Sequence, residues 1–478
     1  MKTIFEHSTP GKRGYYLPPL DLPEKELTDF IPKEYLRENL PLPEVSEVEV
    51  VRHFVNLSTL NHHVDKGFYP LGSCTMKYNP KVNETIASFP SFTNTHPWQE
   101  EETVQGNLFL MSELGKLLLT IVGMDAITLQ PAAGAHGEFT SLLIVRKYFK
   151  DRGEKRERIL IPDSAHGTNP ASVTMSGHRV EVIPSDETGQ ISLTKLRERI
   201  GEDCACLMVT NPNTLGIFEE RILEIAEICH SYGTLLYLDG ANLNAYLGYH
   251  RPGDAGFDLV HLNLHKTFST PHGGGGPGAG PVCAKKFLEP YLPIPRLIRE
   301  GEKFRFDWEK GKSIGKIQAF YGNFLVLVKA FTYIRMLGPD GLRDCAECAV
   351  LNANYIRKSL EGYYHLPYKT PTMHECVFSA ENLKKYGVRA LDVAKRLLDF
   401  GLHAPTMYFP LIVHEALMIE PTETESKEVL DEFIKRMIQI AEEAKTNPEI
   451  LQKAPHQTPM KRLDEAKAAR DLILRYQK

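Results

Sequence analysis

No stretch of this sequence approaches the roughly 20 consecutive apolar residues that a membrane-crossing helix requires. The first residues also lack the apolar core of a secretory signal. Basic and acidic side chains are nearly balanced, 56 against 61, and the net charge is −5. A protein that binds nucleic acid through its phosphates needs a basic patch, which this balance does not favour. The sequence therefore predicts a cytoplasmic protein whose partners are neither membranes nor nucleic acids.

Cysteines are few and scattered, with 8 among 478 residues. Cys345 and Cys348 have the spacing of a metal-binding pair, but no second pair and no histidine partner lies at ligand spacing. Both fall in a helical pattern between residues 341 and 360. Reduced thiols are the usual state in a cytosolic chain of this size. The sequence therefore predicts structural thiols and no metal site.

The composition, 42% hydrophobic and 24% charged, is that of an ordinary globular protein. A chain of this length is too long for a single hydrophobic core. Residues 1–95 are rich in proline and lack a long periodic pattern, which predicts an arm that wraps the body or a partner. A large domain is expected at 96–337, a smaller α+β domain at 338–445, and a tail at 446–478 with a charged helix over 461–476.

Short apolar runs alternate with amphipathic segments through the large domain. The predicted strands are Arg158–Ile161, Cys206–Thr210, Leu235–Leu238 and Leu259–Leu264, followed by a strand-like run at Pro281–Ala284. In the smaller domain, strands are expected at His374–Ser379 and Leu411–Glu420. The predicted helices are Ser46–Leu57, Glu138–Phe149, Leu193–Ile200, Leu223–Tyr232 and a connecting helix over Ile314–Met336. Such alternation is typical of an α/β fold with a mostly parallel sheet that is covered on both faces.

Lys266 follows one of these apolar strands and precedes the glycines at 273–276. A lysine held at the end of a strand can be desolvated, so that its amine is partly neutral and nucleophilic. Such an amine can capture a carbonyl cofactor as a Schiff base. The alternative is an ordinary solvated lysine beside a loop. The glycines themselves lack the strand–GxGxxG–helix context of a dinucleotide site, so a flexible turn is the preferred interpretation.

Other polar groups fall at comparable positions. Gly134, between Ala133 and Ala135, directly precedes a helix, where backbone N–H groups and the helix N-terminus can bind a phosphate. His166 follows a strand and can stack on an aromatic ring. Asp239 closes an apolar strand, where a carboxylate is costly unless it meets a cation such as a protonated pyridine nitrogen. Each feature also has an ordinary interpretation: a packing turn, a loop histidine and a helix N-cap.

Thr210 and Asn211 stand at another strand end, where their side chains can reach a ring hydroxyl or a phosphate, although a plain Asn-Pro turn would also explain them. Taken together, the features supply an anion site, a stacking histidine, polar donors, a carboxylate for a ring nitrogen and a lysine for a Schiff base. Pyridoxal 5'-phosphate chemistry requires this set of groups. The sequence therefore predicts a pyridoxal phosphate enzyme.

Several longer motifs resemble one known family, the P-protein of the glycine cleavage system, or glycine dehydrogenase (decarboxylating). The resemblance runs from about residue 50 into the C-terminal tail. The motifs are Tyr69-Pro-Leu-Gly-Ser-Cys74-Thr-Met-Lys77, His96-Pro-Trp98-Gln-Glu-Glu, Asp163-Ser-Ala-His166-Gly-Thr-Asn-Pro-Ala, Asn211-Pro-Asn-Thr-Leu-Gly and Asn263-Leu-His-Lys266-Thr-Phe. The resemblance implies the pyridoxal-phosphate-dependent transferase fold of the aspartate aminotransferase class.

The resemblance also implies a reaction and partners. Many family members are about twice as long and contain two similar halves, and this chain matches the half that keeps the lysine. It implies a first P-protein subunit as partner, in a two-plus-two assembly. The implied reaction is the decarboxylation of glycine, with transfer of the aminomethyl group to the lipoyl arm of H-protein.

Carried over by position, Lys266, His166 and Asp239 are the implied catalytic residues. The implied cofactor-binding residues are these three together with Ala133, Gly134, Ala135, Thr210, Asn211, Ala241 and His265. Ser73, Cys74 and Thr75 lie in a family motif but receive no chemical role. Another pyridoxal-phosphate-dependent amino-acid decarboxylase of the same fold, or a subunit that holds the cofactor without catalysis, remain the alternatives.

Overall fold

In the computed structural model, residues 2–37, 39–271 and 278–474 are described. The chain divides into two compact units, Met1–Lys66 and Gly67–Lys478. The glycine-rich run at 273–276, predicted as a flexible turn, lies outside the described residues. Among the described helices, none combines the length and the apolar composition that a membrane crossing requires. The four-part domain division stays a prediction.

The first unit contains the helix α1 (Glu47–Ser58), which begins with a capping box. The hydroxyl of Ser46 accepts from the backbone N–H of Glu49, and the carboxylate of Glu49 accepts from the backbone N–H of Ser46 at 2.9 Å. This exchange satisfies two donors that a helix start leaves free. The helix predicted over Ser46–Leu57 is therefore confirmed. Short 3-10 helices complete the unit, at Ile4–His7, Leu27–Asp29 and Lys33–Tyr35.

The second unit is built on a seven-stranded sheet. Its strands are β1 (Ala126–Thr128), β2 (Arg158–Pro162), β3 (Arg179–Ile183), β4 (Cys204–Thr210), β5 (Leu235–Gly240), β6 (Leu259–Leu262) and β7 (Val282–Ala284). They lie in the order β1-β7-β6-β5-β4-β2-β3. Neighbours among β2 to β6 are parallel, whereas β7 is antiparallel to both β6 and β1. The predicted α/β class with a mostly parallel sheet is confirmed, although the sequence prediction missed β1 and β3.

Alternate residues of the central strands enter different hydrophobic cores. In β4, Leu207 and Val209 belong to one core, whereas Cys206 and Met208 belong to another, and all four are buried. An extended strand directs successive side chains to opposite faces of its sheet. Both faces of the sheet are therefore covered, as the continuous apolar runs in the sequence predict.

Helices of the second unit connect the strands and form its C-terminal part. They are α2 (Lys81–Ala87), α3 (Pro90–Thr93), α4 (Gln105–Val122), α5 (Gly134–Asp151), α6 (Thr168–Met175), α7 (Leu193–Arg199), α8 (Ile222–Ser231), α9 (Phe324–Leu360), α10 (Ala390–Asp399), α11 (Lys427–Thr446), α12 (Pro448–Gln452) and α13 (Glu465–Arg470). α5 to α8 each link consecutive strands from β1 to β5, which is the βαβ arrangement. α9 bends at Gly338, whose φ of 64° and ψ of −172° are not helical.

The C-terminal part has a smaller sheet of its own. A hairpin of β8 (Arg296–Glu300) and β9 (Lys303–Asp307) precedes it, and the sheet consists of β10 (Cys376–Ser379), β11 (Thr406–Met407) and β12 (Ala416–Ile419). β12 lies between the other two strands and is antiparallel to both. Ile356 of α9, Leu397 of α10 and Phe433 of α11 pack into one core with Phe378 of β10. The predicted smaller α+β region is confirmed.

The predicted connecting helix over Ile314–Met336 is wrong in its first part, because α9 begins only at Phe324. Gly315 and Gly322 have φ values of 97° and 121°, which a right-handed helix does not contain. A Cβ atom at Gly322 would lie 2.5 Å from the carbonyl oxygen of Leu129. The segment before α9 is instead irregular, with bends at residues 318–322, and at Gly322 it packs closely on Leu129.

Other predicted elements are too long. The strand Leu259–Leu264 ends at Leu262, since the chain turns where the N–H of Lys266 donates to the carbonyl of Asn263 at 3.0 Å. The strand predicted within Leu411–Glu420 pairs only over Ala416–Ile419. The tail helix over Lys461–Tyr476 is helical only at α13 within its described part, and α13 buries no residue. A short helix without packing has little support in water.

Candidate active site

The predicted site residues meet at the carboxyl edge of the main sheet. Lys266 follows β6, Asp239 lies near the end of β5, Thr210 ends β4, and His166 follows β2. Because the carboxyl ends of parallel strands lie along one edge, ligands of such sheets bind there. A cavity of about 170 Å³ opens at this edge, and the predicted residues among its lining are Gly134, Ala135, His166, Thr210, Asp239, Ala241, His265 and Lys266.

Two predicted cofactor-binding residues do not line this cavity, although both are described. The carbonyl of Ala133 accepts from the N–H of Gly137 at 2.9 Å and so helps to begin α5. The side-chain oxygen of Asn211 accepts from the N–H of Glu219 at 2.9 Å. Both residues shape the loops that carry their neighbours. Asn213 and Thr214, from the same loop as Asn211, do line the cavity.

Lys266 directs its amine toward a segment that is distant in sequence. Its Nζ donates to the backbone carbonyl of Ser73 at 2.7 Å. Ser73 has a φ of 62°, an uncommon value for a residue other than glycine. This contact holds the amine at the cavity, where a carbonyl compound would reach it.

Asp239 is buried and engaged through both carboxylate oxygens. Oδ2 accepts from Nδ2 of Asn169 at 2.9 Å, and Oδ1 accepts from the N–H of Ala241 at 3.1 Å. Nε2 of His261 lies 3.4 Å from Oδ1. Burial alone would raise the pKa of Asp239, but attraction to His261 and the hydrogen bond from Asn169 outweigh it and leave that pKa below its usual value. The carboxylate is therefore negatively charged at neutral pH.

Glu138 is a second buried acid that the sequence analysis did not assign to the site. It stands on α5, lines the cavity, and accepts from the hydroxyls of Thr168 at 2.7 Å and Ser172 at 2.9 Å. Burial, followed by repulsion from Asp239, raises the pKa of Glu138 to about 7. Its position four residues before Leu142, on the apolar face of α5, is the signal that could have found it.

His166 lies at the cavity with its ring held at one nitrogen. Its Nδ1 is 2.9 Å from the hydroxyl of Thr168, and the ring contacts Phe409 edge-on, with centroids 5.5 Å apart. Burial lowers the pKa of His166, which keeps the ring neutral at neutral pH. A neutral ring can either accept or donate a proton at its free nitrogen.

The motif that includes Ser73, Cys74 and Thr75 is held by buried glutamates from the C-terminal part. The N–H of Ser73 donates to Glu375 at 2.5 Å, and the N–H and hydroxyl of Thr75 donate to Glu420 at 2.9 and 2.8 Å. Burial raises the pKa of the Cys74 thiol, so the neutral thiol is its stable form. These contacts place the carbonyl of Ser73 where Lys266 reaches it.

Glu375 should tolerate replacement by glutamine but not by alanine. Burial and then repulsion from Glu420 raise the pKa of Glu375 well above its usual value, which favours the neutral carboxyl group. Glu375→Gln keeps an acceptor for the N–H of Ser73, and we expect it to cost less than about 1 kcal/mol in unfolding free energy. Glu375→Ala leaves a buried donor unpaired and should cost about 2–3 kcal/mol. Urea denaturation of both variants measures the difference, and equal losses would contradict a neutral Glu375.

The cavity also offers polar atoms that the chain itself leaves free. The hydroxyl of Thr210 and the side-chain oxygen of Asn263 are buried and have no hydrogen-bond partner among the described residues. A Cβ atom at Gly134 would lie 2.4 Å from that oxygen of Asn263, so only glycine lets the Asn263 side chain lie this close to the start of α5. An amine, an anionic carboxylate, a neutral imidazole and a helix N-terminus fit the groups of pyridoxal phosphate.

Two family models match this chain. The model described as glycine cleavage system P-protein matches residues 22–302, which is more than half of the sequence. The model described as glycine dehydrogenase, C-terminal domain, matches residues 345–462. The chain belongs to the P-protein, or glycine dehydrogenase (decarboxylating), family. The predicted family and the predicted class of enzyme are thereby confirmed.

Relatives of this P-protein chain cover nearly its full length. Probable glycine dehydrogenase (decarboxylating) subunit 2 of Halalkalibacterium halodurans is 58% identical over 99% of this chain and 98% of its own. The protein of the same name from Bacillus licheniformis has the same identity and coverage. That from Caldanaerobacter subterraneus is 57% identical, again over 99% of this chain and 98% of its own.

Solved structures agree on the fold of this P-protein chain. A glycine decarboxylase (P-protein) of the glycine cleavage system, in inhibitor-bound form, has a TM-score of 0.72 at 22% identity and covers 86% of this chain and 94% of its own. The cysteine desulfurase of Thermococcus onnurineus has a TM-score of 0.60 at 16% identity, over 79% of this chain and 97% of its own. The predicted pyridoxal-phosphate-dependent transferase fold is confirmed.

Proposed function

We propose that this chain binds pyridoxal phosphate at Lys266 and decarboxylates glycine as the second subunit of a P-protein. The observation that carries the proposal is the meeting of Lys266 and the ionised Asp239 at one cavity with unpaired polar atoms. The names of the relatives, glycine dehydrogenase (decarboxylating) subunit 2, support the substrate. The predicted cytoplasmic location belongs to the same proposal.

In this proposal Lys266 Nζ is the covalent attachment point. Asp239 would hold a proton on the ring nitrogen, His166 would stack on the ring, and Gly134 and Ala135 would bind the phosphate at the N-terminus of α5. Ala133 and Asn211 would act indirectly, through the loops that they shape. When bound, pyridoxal phosphate supplies an electron sink for the electron pair left by departing carbon dioxide.

The residues of the chain then have defined tasks. Ser73 keeps the amine of Lys266 at the cavity through its carbonyl oxygen. Asp239 keeps its negative charge in a buried setting, where its field acts with little screening. Lys266, His166 and His265 are the candidates for moving a proton, since each lines the cavity.

The proposal includes partners. The relatives' designation as subunit 2 supports a first P-protein subunit, for which we propose a two-plus-two assembly. A lipoylated H-protein would receive the aminomethyl group, since this transfer is the reaction that family membership implies. Free glycine would enter the same cavity.

Exchange of labelled bicarbonate into the carboxyl group of glycine tests the proposal. The chain is assayed alone, with the first subunit, and with both the first subunit and lipoylated H-protein. We expect exchange to require both subunits, and net carbon dioxide release to require H-protein as well. Preferential decarboxylation of another amino acid without the carrier would favour a different decarboxylase. A complete mixture that holds the cofactor yet stays inactive would favour a non-catalytic subunit.

A further inference from the structure

Three side chains that line the cavity form a continuous hydrogen-bonded row. Oε1 of Glu138 is 2.7 Å from Oγ1 of Thr168, which is 2.9 Å from Nδ1 of His166. Glu138 is 4% exposed, so bulk solvent has little access to its carboxyl group. The second oxygen of Glu138 accepts separately from Ser172 at 2.9 Å.

Thr168, the middle residue of the row, has a single hydroxyl proton, which it can donate either to Glu138 or to His166 but not to both. The direction of one hydrogen bond therefore sets the direction of the other. When Glu138 is ionised, Thr168 must donate to it and can only accept from His166, whose proton is then on Nδ1. When Glu138 is protonated on Oε1, it donates to Thr168, which in turn donates to His166. The proton of the neutral ring is then on Nε2. The protonation of Glu138 and the tautomer of His166 are therefore linked.

We propose that Glu138 is a positioning residue that stores a proton and, through Thr168, sets which nitrogen of His166 bears the proton. In the charging direction, Nε2 of His166 gains a proton from the cavity, and Nδ1 passes its proton to Oγ1 of Thr168. Oγ1 passes its own proton to Oε1 of Glu138. One proton moves from the cavity to the carboxylate, His166 stays neutral, and no other group changes charge. The reverse sequence returns the proton to the cavity.

The surroundings make this transfer possible near neutral pH. Burial and repulsion from Asp239 raise the pKa of Glu138 to about 7. Asp239, His261 and Tyr237 face Glu138 from the strands, and His166 faces it across Thr168. The backbone N–H of Thr168 also donates to Nδ1 of His166 at 3.3 Å. This second hydrogen bond favours the tautomer in which Nδ1 has no proton.

The test follows the tautomer of His166 in the full-length chain, labelled with ¹⁵N in its histidine rings. The signal of His166 is the one that His166→Gln removes. As the pH rises from about 6 to about 8, which spans one pH unit on each side of the Glu138 pKa of about 7, we expect the ring proton of His166 to move from Nε2 to Nδ1. A single tautomer throughout, or a doubly protonated ring near pH 7, would overturn the proposal.

Variants separate the row from a merely structural effect. Glu138→Gln cannot ionise, so His166 should keep a single tautomer at every pH. Thr168→Val removes the hydroxyl at constant shape and should abolish the pH-dependent exchange, whereas Thr168→Ser should retain it. An exchange that persists in Thr168→Val would refute the row even if Glu138→Gln fails to fold.

Ser172→Ala is the matched control for Glu138, because it removes a donor to the other oxygen and leaves the row intact. The lost hydrogen bond favoured the ionised carboxylate, so the midpoint should rise by up to about one pH unit while the exchange persists. A lost exchange in this variant would contradict the proposal. The inference extends the proposed function, but its readout needs neither glycine nor a partner, so failure of one leaves the other measurable.

Discussion

Replacing Lys266 with alanine is expected to lower the rate of glycine–bicarbonate exchange by at least about 10³-fold in the presence of the first subunit. This corresponds to about 4 kcal/mol of lost transition-state stabilisation. The variant lacks the amine that Ser73 holds at the cavity, and no other lysine lines that cavity among the described residues. The exchange assay, combined with borohydride reduction and peptide mapping, should find the cofactor attached at Lys266 in the unchanged chain and no attachment in the variant.

Lys266→Arg tests the covalent role of Lys266 more specifically than Lys266→Ala does. Arginine keeps a positive charge beside Asp239 and Glu375, but its guanidinium stays protonated and is not a nucleophile at neutral pH. We expect the same loss of exchange with less disturbance of the neighbouring carboxyl groups. Lys286→Ala serves as the control, since Lys286 is exposed and pairs only with a surface glutamate, Glu289, in the contacts of the described chain. Exchange retained by Lys266→Arg would remove the covalent role of Lys266.

The sequence predicted the half of the site that the main sheet carries. Asp239 and Thr210 end continuous apolar runs, and Lys266 follows a mostly apolar strand. The topology of a parallel sheet brings the carboxyl ends of such strands to one edge. The local sequence pattern was therefore enough to predict each strand and to place the residue at its end beside the cavity. Asp239 was also open to interpretation as a cap, and its carboxylate does accept from the nearby N–H of Ala241. In this case the residue makes the local contact and also lines the cavity.

The other half of the site depends on contacts that local patterns do not contain. Ser73 meets Glu375 across 302 positions of sequence, and the surrounding segment has no periodicity from which to place it. A glutamate that precedes a strand is ordinarily predicted to be exposed to solvent. The side chain of Glu375 is nevertheless buried, at 2% exposure. The burial that raises its pKa is a product of tertiary packing. The segment that contains Gly315 and Gly322 shows the opposite error. Its apolar pattern predicted a helix, but the positive φ angles of these two glycines exclude one.

Asp239→Asn is expected to keep the cofactor bound but to lower the exchange rate by about 10³-fold. The amide is nearly the same size, but it has no charge with which to hold a proton on the ring nitrogen. Both oxygens of Asp239 accept hydrogen bonds, from Asn169 and Ala241. In the asparagine variant the side-chain NH2 group must replace one of these oxygens, so that it opposes a hydrogen-bond donor. This mismatch should cost about 1–3 kcal/mol of unfolding free energy. Cofactor absorbance, the exchange rate and urea denaturation measure the three effects separately.

Asp258→Asn makes the same chemical change at a buried aspartate outside the cavity. Asp258 accepts from the N–H of Leu236 at 2.8 Å and pairs with His230 at 3.0 Å, so its loss should also reduce stability. The exchange rate should nevertheless stay close to that of the unchanged chain. Comparison of the two variants separates the loss of a buried carboxylate in general from the loss of the one beside Lys266. If both variants lose exchange in proportion to stability, Asp239 acts only on the fold; a loss confined to Asp239→Asn assigns its charge to the reaction.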